Sequence, residues 1–201
     1  MPDWRNSMRA NILNTTVDYE NREERDFYAT DPNSLRRFLD RIKEDNIELS
    51  DTIWENACGI GTLVDVLKEY KYKVVYSDII DRGYPGTITQ DFLEIDKLNI
   101  LFDGDILTNP PFKYALDFIK KSLSVIPDGK HVIMFLKLTF LEGKERREFY
   151  KENPPKYVYV FSDRQECFIN GDFSARKGST VAYCWYIWEK GYKGETIIRW
   201  L

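Results

Sequence analysis

The sequence predicts an α/β domain, a mostly parallel sheet with helices on both faces, and three observations carry that expectation. A short apolar run ends in Glu55 and passes through Gly59 and Gly61 into a segment with helical apolar spacing. A second run ends in Asp78, about twenty residues beyond the glycine turn. An Asp91-Phe92 pair and a third run, Asp105-Ile106-Leu107-Thr108, then follow. Strand, glycine turn, helix and a second acidic strand end, at these intervals, are the layout of a nucleotide-binding α/β domain.

Composition sets the bounds. A chain of 201 residues that is 43% apolar and 15% aromatic can bury one sizeable core, so one domain is expected. A formal charge of -4 and a pI near 5.2 argue against a general polyanion coat, and any nucleic-acid contact must come from a local basic patch. Cys58, Cys167 and Cys184 are odd in number and lack Cys-x-x-Cys spacing, and a lone His131 completes a poor ligand set, so neither a disulfide framework nor a metal site is expected. The first residues have no apolar export core, and no run reaches the ~18 apolar residues of a membrane span. A soluble cytoplasmic protein is the expectation.

Residues 1–26 are polar and without periodicity, and read as an arm or a loosely attached helix; the domain proper is residues 27–201. Asp31 caps and Pro32 opens a helix over residues 32–45, with Leu35, Phe38, Leu39 and Ile42 on one face. The loop before it, with Tyr28 and Thr30, is either capping structure or a segment that closes over a ligand.

Thr52-Ile53-Trp54-Glu55 is a strand, and Leu63, Val66, Leu67 and Tyr70 mark the helix behind the glycine turn. Gly59 and Gly61 let a ligand approach the backbone at a helix N-terminus, where unpaired N–H groups favour negative charge. A dinucleotide fingerprint wants a third glycine where this chain has Val64. Glu55 at the mouth of the turn repels a pyrophosphate but attracts an ammonium, such as that of an amino acid; its structural alternative is a cap on a neighbouring N–H. The strand Lys73-Val74-Val75-Tyr76-Ser77-Asp78 places Asp78 where a ribose-binding carboxylate sits in such folds. A turn cap is the alternative, and Asp81 competes for either role. Asp91 offers an acceptor for an exocyclic amine and Phe92 an apolar ring face, a pair suited to an adenine.

Pro110 and Pro111 end the third strand, because neither donates to a ladder and each fixes its own φ. The residue before a proline is pushed to the extended region, so Asn109 stands at a stiff corner. The Asn109 amide and the Pro110 carbonyl supply two acceptors and Phe112 an aromatic face. An amino group on a planar ring can give both hydrogens to those acceptors while the ring stacks on Phe112. A plain proline turn between strand and helix is the structural alternative.

Beyond the corner, Leu116, Ile119, Leu123 and Ile126 make a helix face, and residues 131–136 a buried strand in which His131 reads as structural. Residues 142–151 are a charged helix with Lys144, Arg146 and Arg147, the pattern of a solvated face. Residues 157–161 form another strand. The loop over residues 163–179 is longer than a hairpin needs; its Arg164, Phe168, Phe173, Arg176 and Lys177 either stack on a base and hold its phosphates or form ordinary surface. Residues 181–188 are apolar enough for the sheet interior, and Ile197-Ile198-Arg199-Trp200 adds an edge.

These motifs resemble the S-adenosylmethionine-dependent amino methyltransferases that make N6-methyladenine. The resemblance covers residues 27–112 by motif and the rest by pattern. It implies a Rossmann-like class I methyltransferase sheet of seven strands, six parallel and one antiparallel. In that family the acid-x-x-x-Gly-x-Gly turn, here Glu55, Ala57, Gly59 and Gly61, holds the methionine part of S-adenosyl-L-methionine. Asp78 matches the acid on the ribose, Asp91 and Phe92 the pair that receives the cofactor adenine, and Asn109-Pro110-Pro111-Phe112 the catalytic motif. Phe27-Tyr28-Ala29-Thr30-Asp31-Pro32 is similar to the segment that closes over the methionine end, and Asn109 borders the cofactor as well.

The resemblance also implies nucleic acid as partner, DNA ahead of RNA, with Lys113, Arg164, Phe168 and Arg176 as candidate contacts. No segment is long enough for a separate target-recognition domain, so sequence specificity falls to loops, a homodimer or a specificity partner. No metal is required. The competing readings are a protein-glutamine N5 methyltransferase, since Asn-Pro-Pro serves that chemistry too, and a cofactor-binding module without catalysis. Cytosine carbon-5 methylation would need a Pro-Cys pair, which the chain lacks.

Overall fold

The computed structural model describes residues 28–95, 101–169, 171, 172, 174 and 180–201. The arm over residues 1–26, Phe27, Phe173, Arg176 and Lys177 lie outside the described residues.

Strand β1 (Tyr28–Thr30) leads into helix α1 (Pro32–Glu44), which starts where Asp31 accepts a hydrogen bond from Asn33 N at 2.9 Å. There follow β2 (Thr52–Glu55), α2 (Thr62–Glu69), β3 (Lys73–Asp78), a two-residue β4 (Ile88–Thr89) and β5 (Asp105–Thr108). A 3-10 turn at Phe112–Tyr114 passes into α3 (Ala115–Val125). The remainder is β6 (His131–Lys137), a 3-10 turn at Leu138–Leu141, α4 (Lys144–Glu152), β7 (Tyr157–Val160), β8 (Cys167–Ile169), β9 (Tyr183–Glu189) and β10 (Ile197–Trp200).

Eight strands form one sheet in the order β10-β7-β9-β6-β5-β2-β3-β4. Only β9 among them runs antiparallel, to both β6 and β7. The expected count of seven is therefore corrected to eight: β10 adds a parallel edge on β7, pairing Ile197 with Tyr157 through Trp200 with Val160. The edge is anchored by Asp45, which accepts from the Tyr159 hydroxyl at 2.6 Å and lies 3.9 Å from Arg199.

Both faces of the sheet are buried, and the period of two along each central strand divides its side chains between two cores. Ile133, Phe135, Trp185 and Ile187 pack with α1 and α2, where Phe38 stacks on Trp185 at 5.0 Å. Val132, Met134, Leu136, Tyr186 and Trp188 pack with α3 on the other face.

At the amino end of the sheet, His131 N and Ser50 N donate to the buried Asp105 at 2.7 and 2.6 Å. Burial raises the Asp105 carboxyl, but the hydrogen bonds from His131 and Ser50 outweigh it and hold the group below its usual range. His131 thus sits in a structural network, at the opposite end of β5 from Asn109. The loop after β7 is not wholly irregular: β8 pairs antiparallel with β1, Ala29 facing Phe168, as a ribbon outside the main sheet. Among the described residues, no helix is long and apolar enough to cross a membrane, and no group of three His, Cys, Asp or Glu is placed to hold a metal.

Candidate functional site

A cleft opens at the carboxyl ends of β2, β3 and β5, where the chain has built outward to β4 and then returns to the other side of β2. Such reversal points are where α/β sheets bind ligands. The cleft holds about 600 Å³ of empty space, its open mouth included, enough for a small molecule.

Glu55, at the end of β2, is fully buried. Its Oε1 accepts hydrogen bonds from the Thr108 hydroxyl and from Ala57 N at 3.1 Å, while Oε2 has no hydrogen-bond partner. Burial, with the charge of Asp78 adding to it, pushes the carboxyl up to about 8 against the opposing bonds from Thr108 and Ala57. A cation placed at Oε2 would ionise it.

Asp78, at the end of β3, is 7% exposed; its Oδ2 accepts from Gly59 N at 2.8 Å and its Oδ1 from Ile80 N at 3.0 Å. Each oxygen retains a second lone pair. Beside it, Ile79 lines the cleft at 51% exposure, an apolar surface turned outward next to an acid. Arg82 also lines this wall.

Asn109 forms the opposite wall. Its Nδ2 donates to the Tyr28 carbonyl at 3.0 Å and to Thr30 Oγ1 at 2.9 Å, which spends both amide hydrogens on β1. The amide orientation follows from those acceptors, and Oδ1 remains buried without a partner. Phe112, also on the cleft wall, contacts Tyr28 at 5.8 Å and Tyr183 at 6.0 Å between ring centroids.

The structure thus brings Tyr28, Thr30, Glu55, Ala57, Asp78, Asn109, Pro110 and Phe112 to one cleft. Gly59 joins through its N–H to Asp78. Gly61 serves packing: its φ is +83°, and a Cβ there would meet the Tyr84 ring at 2.1 Å. Pro111 caps the 3-10 turn, its carbonyl accepting from Tyr114 N at 2.9 Å.

Other expected residues lie elsewhere. Asp91 caps its own turn by accepting from Leu93 N at 2.9 Å. Phe92 is 2% exposed, packed edge-on to Trp54 at 5.3 Å and near Phe118 at 5.2 Å, so its ring belongs to the core. Phe168 is 3% exposed on β8, so its ring offers no free face for stacking. Arg164 and Lys113 are exposed, Lys113 Nζ lying 5.2 Å from the Tyr114 ring centroid.

Sequence reasoning missed Thr108, Ile79 and Arg82. Thr108 had a signal, as the side chain one residue before Asn109 on a strand next to β2; the outward turn of Ile79 had none. Cys58 also lines the cleft, but burial pushes its thiol up to about 12, so it is wall rather than nucleophile.

No protein-family model and no curated protein sequence matches this chain. Solved structures do match. A protein provisionally described as an RNA methyltransferase from Pyrococcus horikoshii superposes with a TM-score of 0.59 at 15% identity, over 83% of this chain and 87% of that one. A protein from Listeria monocytogenes, provisionally described as a class I S-adenosylmethionine-dependent methyltransferase, gives 0.59 at 15% identity over 86% of this chain and 65% of its own. The M protein of the type I restriction enzyme EcoKI gives 0.51 at 14% identity over 70% of this chain, which spans 40% of that protein. Likeness at such identities is likeness of fold: the α/β sheet of class I methyltransferases, here with a further strand.

Proposed function

We propose that this chain is an S-adenosyl-L-methionine-dependent methyltransferase acting on the N6 amine of adenine in nucleic acid, with DNA ahead of RNA on the family resemblance. The observation that carries the reading is the Asn109 amide, whose nitrogen is committed to Tyr28 and Thr30 and whose oxygen is the buried, unpartnered acceptor. A corner built this way accepts a hydrogen bond from an amine and cannot donate one to a carbonyl.

The cleft fits the cofactor. Two buried acceptors without partners line it, and one, Glu55 Oε2, belongs to an acid that an ammonium would ionise. Glu55 would hold the amino group of the methionine part, Asp78 the ribose hydroxyls, and Ile79 one face of the adenine ring. When bound, the cofactor supplies an electrophilic sulfonium methyl. The protein's part is alignment and polarisation. Asn109 Oδ1 accepts from the target amine and favours a more tetrahedral nitrogen as positive charge develops, and Phe112 holds the plane of the base. One structural neighbour is described as an RNA methyltransferase and another belongs to a restriction system, which supports a nucleic-acid acceptor.

Incubation with labelled S-adenosyl-L-methionine and DNA, RNA or protein extract, followed by mass spectrometry of the labelled residue, tests the reading. N6-methyladenine is expected, lost in Asn109→Ala, with weaker cofactor binding in Asp78→Ala. Label on glutamine alone would replace the acceptor with a protein amide, and cofactor binding without transfer to any pool would make the chain a binding module.

A further inference from the structure

Lys137 is the last residue of β6, the strand beside β5. Thr108 pairs with Met134, so Lys137 stands roughly 10 Å further along the strand direction, on the same side of the sheet as the Asn109 corner. Its Nζ lies 5.0 Å from the centroid of the Phe112 ring. Across the ladder it pairs with Tyr183, whose own ring also contacts Phe112. The backbone beneath it is fixed, because the Tyr186 hydroxyl donates to the Lys137 carbonyl at 3.0 Å.

The Lys137 ammonium meets no carboxylate within ion-pair distance and no hydrogen-bond acceptor among the described residues. Arg36, Arg37, Arg41, Lys130, Lys156 and Arg199 each have an acid partner, whereas Lys137 rests on the Phe112 ring, a residue of the cleft wall. An aromatic face holds a cation in place without neutralising it, which leaves all three N–H donors for an incoming anion.

Resting on the reading of an amine acceptor at Asn109, we propose that Lys137 is the anion anchor of the acceptor subsite. It binds a backbone phosphate of the nucleotide whose base enters the Asn109–Phe112 corner, and so selects a phosphate-bearing acceptor over a free base, a nucleoside or a protein amide. Its long stem and point charge suit a phosphate oxygen that moves as the base is turned into the corner.

The test measures binding of a fluorescent adenine-containing oligodeoxynucleotide, single-stranded and duplex, by anisotropy across a salt series, for the wild type, Lys137→Gln and Lys137→Arg. Loss of the charge is expected to weaken binding about tenfold and to reduce the slope of log affinity against log salt by about one contact. Lys137→Arg should restore both, and cofactor affinity and melting temperature should be unchanged in all three. Methyl transfer to the oligonucleotide and to free deoxyadenosine is then compared, and Lys137→Gln should lose efficiency only with the oligonucleotide. An unchanged salt slope, or an equal loss with the nucleoside, overturns the proposal. Oligonucleotide binding with the expected Lys137 effect but no methyl transfer overturns the reaction while the anchor stands.

Discussion

The Thr108 hydroxyl donates to Oε1 of Glu55, which ties the strand that ends at the Asn-Pro-Pro corner to the strand that ends at the glycine turn. That buried bond adds a side-chain link to the backbone ladder between β2 and β5, at the end of the strands where the two halves of the cleft meet. Thr108→Val removes the donor but keeps the shape. Stability should fall by about 1–3 kcal/mol, and cofactor affinity should fall with it, because ionised Glu55 loses a supporting hydrogen bond. Urea melts and calorimetric titration check this, with Thr108→Ser expected near wild type.

The Glu55 carboxyl makes cofactor binding depend on pH. Its level of about 8 means that without a cation beside it the acid is protonated at neutral pH, so binding an ammonium releases a proton. Affinity should rise up to tenfold per pH unit toward 8 and then level off. Titration calorimetry in buffers of different ionisation enthalpy reads the released proton, and Glu55→Gln should abolish that release.

The same group shapes stability without ligand. Between its ordinary 4.5 and about 8 the folded chain keeps a proton that the unfolded chain has lost, so stability falls as pH rises through that window. Glu55→Gln should flatten this part of the profile, with the gain over wild type growing by up to about 1.4 kcal/mol per unit. Thermal melts from pH 5 to 9 measure it.

Thr30 holds the amide of Asn109 in register. Thr30→Val removes one of two acceptors and lets the amide turn, which presents nitrogen to the target amine for part of the time. Turnover should drop roughly fivefold, the equivalent of about 1 kcal/mol, with cofactor affinity changed less. Steady-state kinetics separate the two.

Gly61 carries two constraints at once, a left-handed φ and the Tyr84 ring against its Cα. Gly61→Ala should destabilise by about 2–4 kcal/mol, the sum of a left-handed penalty and overpacking. Adding Tyr84→Ala should recover the second part only, which chemical denaturation of the single and double variants can resolve.

The contrast between Phe112 and Phe92 shows where sequence reading stops. Both stand beside residues suited to recognition, yet Phe112 lines the cleft and Phe92 is wedged between Trp54 and Phe118. A sequence shows that a ring is present; which way it faces depends on neighbours brought from other strands. The same holds for β1 and β8, three residues each, whose strand character exists only in their pairing with each other.

By itself the sequence determined the alternation of strands and helices, the acidic ends of β2 and β3, the glycine turn and the proline-locked corner, because each is written in periodicity and backbone chemistry within a few residues. Only the tertiary structure decided that Asn109 gives its hydrogens to β1, that Thr108 supports Glu55, that Tyr84 covers Gly61 and that the expected edge strand at residues 197–200 pairs parallel with β7. Those are contacts between distant segments, and their energies depend on burial and geometry that no local pattern contains.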